Sequence, residues 1–274
     1  MWPRSGGIDR SDCRELALRT LGRILDESWD SERGFAHRVG KPRLEGVLDD
    51  QVFTAAALLD AYEATLDRRY FETAERAMQI ALARYFDAKD GGFFDRASDA
   101  PPMGGLDVRR KPFQDSPTPG TNSIAAVVLD RLYAYTMNPM YRGRAEQTLE
   151  AFAGIAPQYG LFAASYGLAA MVHAQHPLQV VVTGKAGDPV VSRLEHVALG
   201  YFRYAKAVLR VTPECVAGNS LAPALQQTIP RLQGDVARAL VCVNAQCYPP
   251  VDDPEALAAL LAGLPSGAAP ASGD

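Results

Sequence analysis

The chain has 274 residues, 47% of them hydrophobic, with a formal charge of -4 and a pI near 5.6. That is ample for one large domain or two modest ones with a substantial core. The mixed acids and bases contain no basic run longer than Arg109, Arg110 and Lys111, which argues against a dedicated nucleic-acid or anionic-membrane surface.

The opening "MWPRSGGIDRSDCREL" lacks the apolar stretch of a signal peptide. No segment approaches the roughly 18 apolar residues that span a bilayer. A cytoplasmic protein is the expectation.

The first predicted element is an amphipathic helix in "CRELALRTLGRILDESWD", followed by Gly34-Phe35. An internal repeat then organises the middle of the chain. A shift of 71 positions lays Ala55 on Ala126, Leu58 on Leu129, Tyr62 on Tyr133, Thr65 on Thr136, Tyr70 on Tyr141 and Glu75 on Glu146. Each copy reads as a helical hairpin. An apolar inner helix (48–66, then 121–137) turns through "LDRR" or "MNPM" into a more charged outer helix (69–86, then 140–155). The second helix of the first copy places Ala74, Ala77, Met78, Ala81 and Leu82 on one stripe, the pattern of a helix half facing a core. Another apolar helix follows at 160–174.

The order outer, inner, outer, inner, outer, inner is that of an α/α toroid, so the expected fold is mainly α, a partial toroid over residues 1–176. Beyond His176-Pro177 the composition changes. "LQVVVTGKAG", "KAVLRV" and "RALVCV" read as short, mostly parallel strands; "DPVVSRLEHVALGYF" and "DDPEALAALLAGL" read as helices opened by Asp-Pro. These define a small α/β subdomain over 177–264, and the polar tail 265–274 is expected to be disordered. The "TGKAGD" turn lacks the full spacing of a phosphate loop.

Connections within a hairpin are short, whereas 30–47 and 87–120, which lead from outer to inner helices, are long. Parallel inner helices would gather these long loops at one face, over the inner-helix N-termini, where a site is expected. The first loop brings His37, Arg38, Lys41, Arg43, Asp49 and Asp50; the second brings Asp95, Asp99, Asp107, Arg109, Arg110, Lys111, Asp115 and Asn122. Asp50 and Asp115 are the candidate acid and base of glycoside chemistry. His37, Arg43, Asp49, Arg109, Arg110 and Asn122 are the candidate substrate ligands. The same acids, with Thr121, Asn122 and Ser123, serve equally well as helix caps.

No metal site is expected: Cys242 and Cys247 form a C-x4-C pair with no nearby His, half the ligand set of structural zinc. They are read as packing thiols or as a disulfide formed on oxidation. No cofactor motif is present, and no Ser elbow, H-E-x-x-H or Cys-His arrangement appears.

Four stretches carry a resemblance. They are Gly46-x-Leu48-x-Asp50-Gln51, Asp87 to Phe94 "DAKDGGFF", Asp115-x-x-x-Pro119-x-x-Asn122-Ser123, and Cys242-x4-Cys247-x-Pro249. In this order they resemble the C-terminal portion of the thioredoxin-domain-containing protein family that includes the spermatogenesis-associated thioredoxin-like protein. The family's third segment has Ser-Gly where this chain has Gly120-Thr121. The resemblance implies a six-hairpin glycosidase-like toroid after a thioredoxin-like domain. It therefore implies a carbohydrate-active protein, a glycoside hydrolase or sugar epimerase acting on a small sugar-like ligand. The epimerase branch is weakened because such enzymes use paired cavity histidines and only His37 lies in a site loop. No C-x-x-C is present, so no redox function carries over. Three hairpins make half such a ring, which implies a homo-oligomer or a partner chain that supplies the missing hairpins. The alternative to catalysis is a ligand-binding or assembly module that completes a toroid with another chain.

Overall fold

The computed structural model describes residues 11–41, 43–101, 104, 108–175, 177–229, 236–243 and 246–264. Asp107, His176 and the tail 265–274 lie outside them. The chain is mainly helical, with a small four-stranded sheet. Helices α1 (Ser11–Ser28), α2 (Leu48–Thr65), α3 (Arg68–Arg84), α4 (Thr121–Thr136) and α5 (Pro139–Ala153) come first. A 3-10 segment, Ala156–Ala163, interrupted at Gly160, then leads into α6 (Ala164–Gln175). The predicted helix at 160–174 is thus divided, with only its second part α-helical.

The 71-residue repeat is visible as shared turn chemistry. In the first hairpin the Thr65 hydroxyl donates to the Ala61 carbonyl and accepts from the Asp67 N–H. In the second, Thr136 does the same with Leu132 and Asn138. Leu66 and Met137, again 71 apart, both adopt left-handed backbone, with φ of 55° and 56°. Asp67 and Asn138 then cap α3 and α5, accepting from Arg69 N and Met140 N.

Within each hairpin α2 packs on α3 and α4 on α5; between them α2 packs on α4, and α4 on α6. The α2 face carrying Leu48, Val52, Ala55, Leu58, Leu59 and Tyr62 is fully buried. The Tyr62 and Tyr135 rings meet edge to face at 5.5 Å, which adds a directional contact to the apolar burial.

Strands β1 (Leu178–Thr183), β2 (Ala207–Val211), β3 (Arg238–Val243) and β4 (Gln246–Cys247) form a sheet in the order β2-β1-β3-β4. Helix α7 (Pro189–Gly200) connects β1 to β2, which lie parallel. The expectation of mostly parallel strands is corrected here: β1 and β3 are antiparallel, as are β3 and β4. The reason lies in the connection through α8 (Pro213–Ala217) and α9 (Pro223–Thr228). It delivers β3 to the far end of β1, with Arg238 opposite Thr183, so β3 must run back.

Both faces of the sheet are covered, which is why β1 is buried at every position. Val181, Leu209, Val211 and Leu240 share a core with α2 and α4, while Val180, Val182, Val208 and Val241 pack with α7 and with α10 (Pro254–Ala262). The helical hairpins and the sheet therefore share one core. Tyr62 pins them together, its hydroxyl accepting from Ala222 N at 2.7 Å and donating to the Ser220 carbonyl.

Candidate functional site

The N-termini of α2, α4 and α6 are tied to one another by side chains. Thr121 at the start of α4 donates from its hydroxyl to Asp49 Oδ1 at the start of α2, at 2.5 Å. Asp115 lies between α4 and α6. Its Oδ1 accepts from Gly120 N at 2.7 Å, its Oδ2 accepts from Ser165 N at 2.8 Å, and the Ser165 hydroxyl also donates to it. Burial alone would raise the Asp115 carboxyl. The Ser165 hydroxyl and the backbone N–H groups of Ser165, Gly120 and Ala164 outweigh burial and hold it below the usual carboxylate range.

Asp50 is engaged at its own helix end, where its Oδ2 reaches back to accept from Val47 N at 2.8 Å; Val47 has no side-chain acceptor to reciprocate. The exposed His37 ring lies 3.1 Å from the same carboxylate. Asp49, Asp50, His37 and Thr121 thus cluster at the α2 and α4 ends, with Asp115 at the α4 and α6 ends.

The remaining candidate ligands are elsewhere. The Arg43 guanidinium donates to the Glu27 and Ser28 carbonyls and closes the C-terminal end of α1. Arg109 lies over the Phe94 ring at 4.0 Å and donates to the Arg96 carbonyl. Arg110 meets Asp95 through its backbone, its N–H donating to Asp95 Oδ1. Lys111 bridges the Asp87 carboxylate at 2.8 Å and the Gly91 carbonyl. Asn122 is 1% exposed and spends its whole carboxamide on backbone. Its Oδ1 accepts from Phe93 N at 2.6 Å, and its Nδ2 donates to Phe93 O at 2.9 Å and to Pro112 O at 2.8 Å.

Gln51, not among the residues expected to bind substrate, does the same for the first loop. It accepts from Phe35 N at 2.8 Å and donates to Phe35 O at 2.7 Å, and it is wholly buried. Gln51 and Asn122 are 71 residues apart, and each clamps the Phe of a Gly-Phe step, Gly34-Phe35 or Gly92-Phe93. Both glycines need positive φ, +84° and +73°. A Cβ on Gly34 would sit 2.2 Å from Gln51 Oε1. The repeat shift together with the paired Gly-Phe steps was the signal that would have found this clamp.

A cavity of about 200 Å³ opens beside the first clamp, walled by Arg33, Arg43, Arg84, Asp30 and Glu45 and floored by Gly34 to Ala36. Asp50 and Asp115 are not among its lining residues. Among its charges, Arg84 pairs with Glu45 and Asp99, and Arg33 with Glu45. Asp30 accepts from the N–H groups of Glu32 and Arg33. Among the described residues no three of His, Cys, Asp and Glu cluster as a metal site requires, and no helix is long and apolar enough to cross a membrane.

No family model matches the chain. Human spermatogenesis-associated protein 20 is 27% identical over 240 residues, covering 88% of this chain and 30% of the human protein. The mouse and rat proteins of the same name are 32% and 33% identical over 111 residues, 40% of this chain and 14% of each relative. The chain therefore spans less than a third of the length of the relatives it matches. Its homologues are named spermatogenesis-associated protein 20, the family that its four ordered motifs resemble.

Proposed function

We propose that this chain is a ligand-binding or assembly module rather than a glycoside hydrolase or sugar epimerase. The observation that carries this reading is the engagement of both candidate catalytic acids. Asp50 caps its own helix, and Asp115 joins the ends of α4 and α6 while its carboxyl is held below the ordinary range. A general acid for glycoside cleavage needs the opposite environment, one that raises its pKa and leaves the proton free to reach the leaving group.

The assembly part rests on α6. Each inner helix packs on the next, α2 on α4 and α4 on α6, but among the described residues α6 has an inner-helix neighbour on one side only. On α6 and the 3-10 segment that leads into it, Leu161 is 90% exposed, Phe162 60% and Leu168 40%. Neighbouring apolar side chains this exposed suit an interface. A further hairpin of the same kind, from a second copy or a partner chain, would cover them as α6 covers α4.

The test is light scattering on the full chain at micromolar concentration, alongside thermal shift against a sugar and nucleotide-sugar library. A species heavier than one chain, returned to a monomer by Phe162→Ser with Leu168→Asp at unchanged circular dichroism, supports assembly. A well-folded monomer that sugars stabilise, with stabilisation lost in His37→Ala or Asp50→Asn, overturns it. The exposed His37-Asp50 pair is the observation that favours this second, carbohydrate-active reading.

A further inference from the structure

Cys242 and Cys247 stand directly opposite each other where β3 pairs with β4, and their sulfurs are bonded. The two ends of the bond differ. Cys242 is 6% exposed and belongs to the core shared with the helices, whereas Cys247 is exposed on the edge strand. Beyond Cys247 the chain continues along β3. Tyr248 N donates to Val241 O at 2.9 Å, and Val251 and Ala239 exchange N–H···O bonds at 2.7 and 3.0 Å. Pro249 and Pro250 in this stretch offer no N–H, so the outer side of 246–251 is a poor template for another strand.

β4 itself has two residues, too few for a ladder to hold unaided. A disulfide that closes a sequence separation of 5 removes little freedom from the unfolded chain, so its effect is local to this edge. The geometry points to a thiol-sensitive clip: the oxidised pair holds 246–251 over the edge of β3, and reduction by a low-molecular-weight thiol releases it. The thiolate attacks the exposed Cys247 sulfur and expels the Cys242 sulfur, which takes up a proton. A second small thiol then attacks the mixed disulfide at its small-molecule sulfur. Cys247 leaves as a thiolate, giving two protein thiols and one small-molecule disulfide. Release uncovers the N–H and C=O of Ala239 and the C=O of Val241, groups competent for strand addition.

The experiment equilibrates the folded full chain in glutathione buffers of graded reduced-to-oxidised ratio, alkylates it, and follows peptide masses and amide exchange. Cys13 and Cys215, both half-buried, report any general opening of the fold. The expected result is conversion of the Cys242–Cys247 peptide from disulfide to two alkylated thiols, with exchange at Tyr248 and Val251 rising at least tenfold and exchange in β1 and β2 unchanged. Cys247→Ser, an exposed and nearly isosteric change, should show the fast exchange in every buffer. The inference is overturned by a pair that stays closed in excess reduced glutathione or stays reduced in excess oxidised glutathione. It is equally overturned by opening that leaves Tyr248 and Val251 exchange unaltered, or by acceleration throughout the sheet.

Discussion

Replacing Asn122 by alanine should cost far more stability than an ordinary polar substitution at the start of a helix. In the folded protein this carboxamide satisfies three buried backbone groups, Phe93 N at 2.6 Å, Phe93 O at 2.9 Å and Pro112 O at 2.8 Å. Truncation leaves the Phe93 N–H and C=O without a partner, while the Pro112 carbonyl keeps the backbone N–H at position 122 at 3.3 Å; the side chain is 1% exposed, so water cannot replace it without reorganisation. At about 1–3 kcal/mol for each of these two buried groups left unpaired, and allowing for relaxation of the loop, the expected loss is roughly 2–5 kcal/mol. The control is Asn138→Ala, which removes one exposed cap bond to Met140 N and should cost about 1 kcal/mol. Urea unfolding of both variants, with equal m-values, measures the difference. If Asn122→Ala loses no more than Asn138→Ala, the clamp does not hold the 93–112 loop, and Asn122 is released to serve as a ligand.

Gly46→Ala should be as damaging by another route. Its Cβ would lie 1.9 Å from Phe35 O and 2.4 Å from Gln51 Nε2, which forces the first clamp open; a loss of about 3 kcal/mol or more is expected by thermal unfolding. Asp115→Asn places an amide donor against the N–H of Gly120 or Ser165 and should cost about 2 kcal/mol at pH 7 in urea. The same residue sets an acid limb. Its folded-state pKa lies below the unfolded value, so its contribution is full above about pH 4 and is lost as the pH falls through the folded pKa. Asp115→Asn should therefore show a shallower decline in stability than the parent chain on titration from pH 5 towards 2; parallel curves would contradict this.

Arg131→Met should cost about 3 kcal/mol or more at neutral pH. It strands Asp60 and Glu63, which Arg131 meets at 2.7 and 2.8 Å. Burial already raises the Glu63 carboxyl against the pull of Arg131. In the variant Glu63 should take up a proton on acidification, so the deficit should shrink between pH 7.5 and pH 5 in urea titrations.

Much of this fold is legible without coordinates, because its determinants are local. The 71-residue repeat, the apolar stripes, and the Asp-Pro and Asn-Pro starts of α7, α10 and α5 all act within a few residues of chain. They specify hairpins and caps before any tertiary contact forms. Strands β1, β2 and β3 are equally plain as short β-branched runs, whereas the two-residue β4 is not. The loops that carry the candidate acids were identified by the same means, but the partner of each acid was not. Whether Asp115 faces a substrate or the end of α6 depends on Ser165, 50 residues further on. The clamp of Gln51 on Phe35 depends on a loop folding back over 16 residues. β3 runs against β1 because of where a long connection ends, which no period in the sequence encodes. The long helices α1 to α5, α7 and α10, their order and their capping chemistry are determined by the sequence alone, since propensity and hydrogen bonding act there at short range; the short α8 and α9 and the 3-10 start of α6 are not. The occupation of the acids, the shared core of helices and sheet, and the apolar residues left exposed at α6 were decided only when distant segments competed for the same polar groups and the same apolar surface.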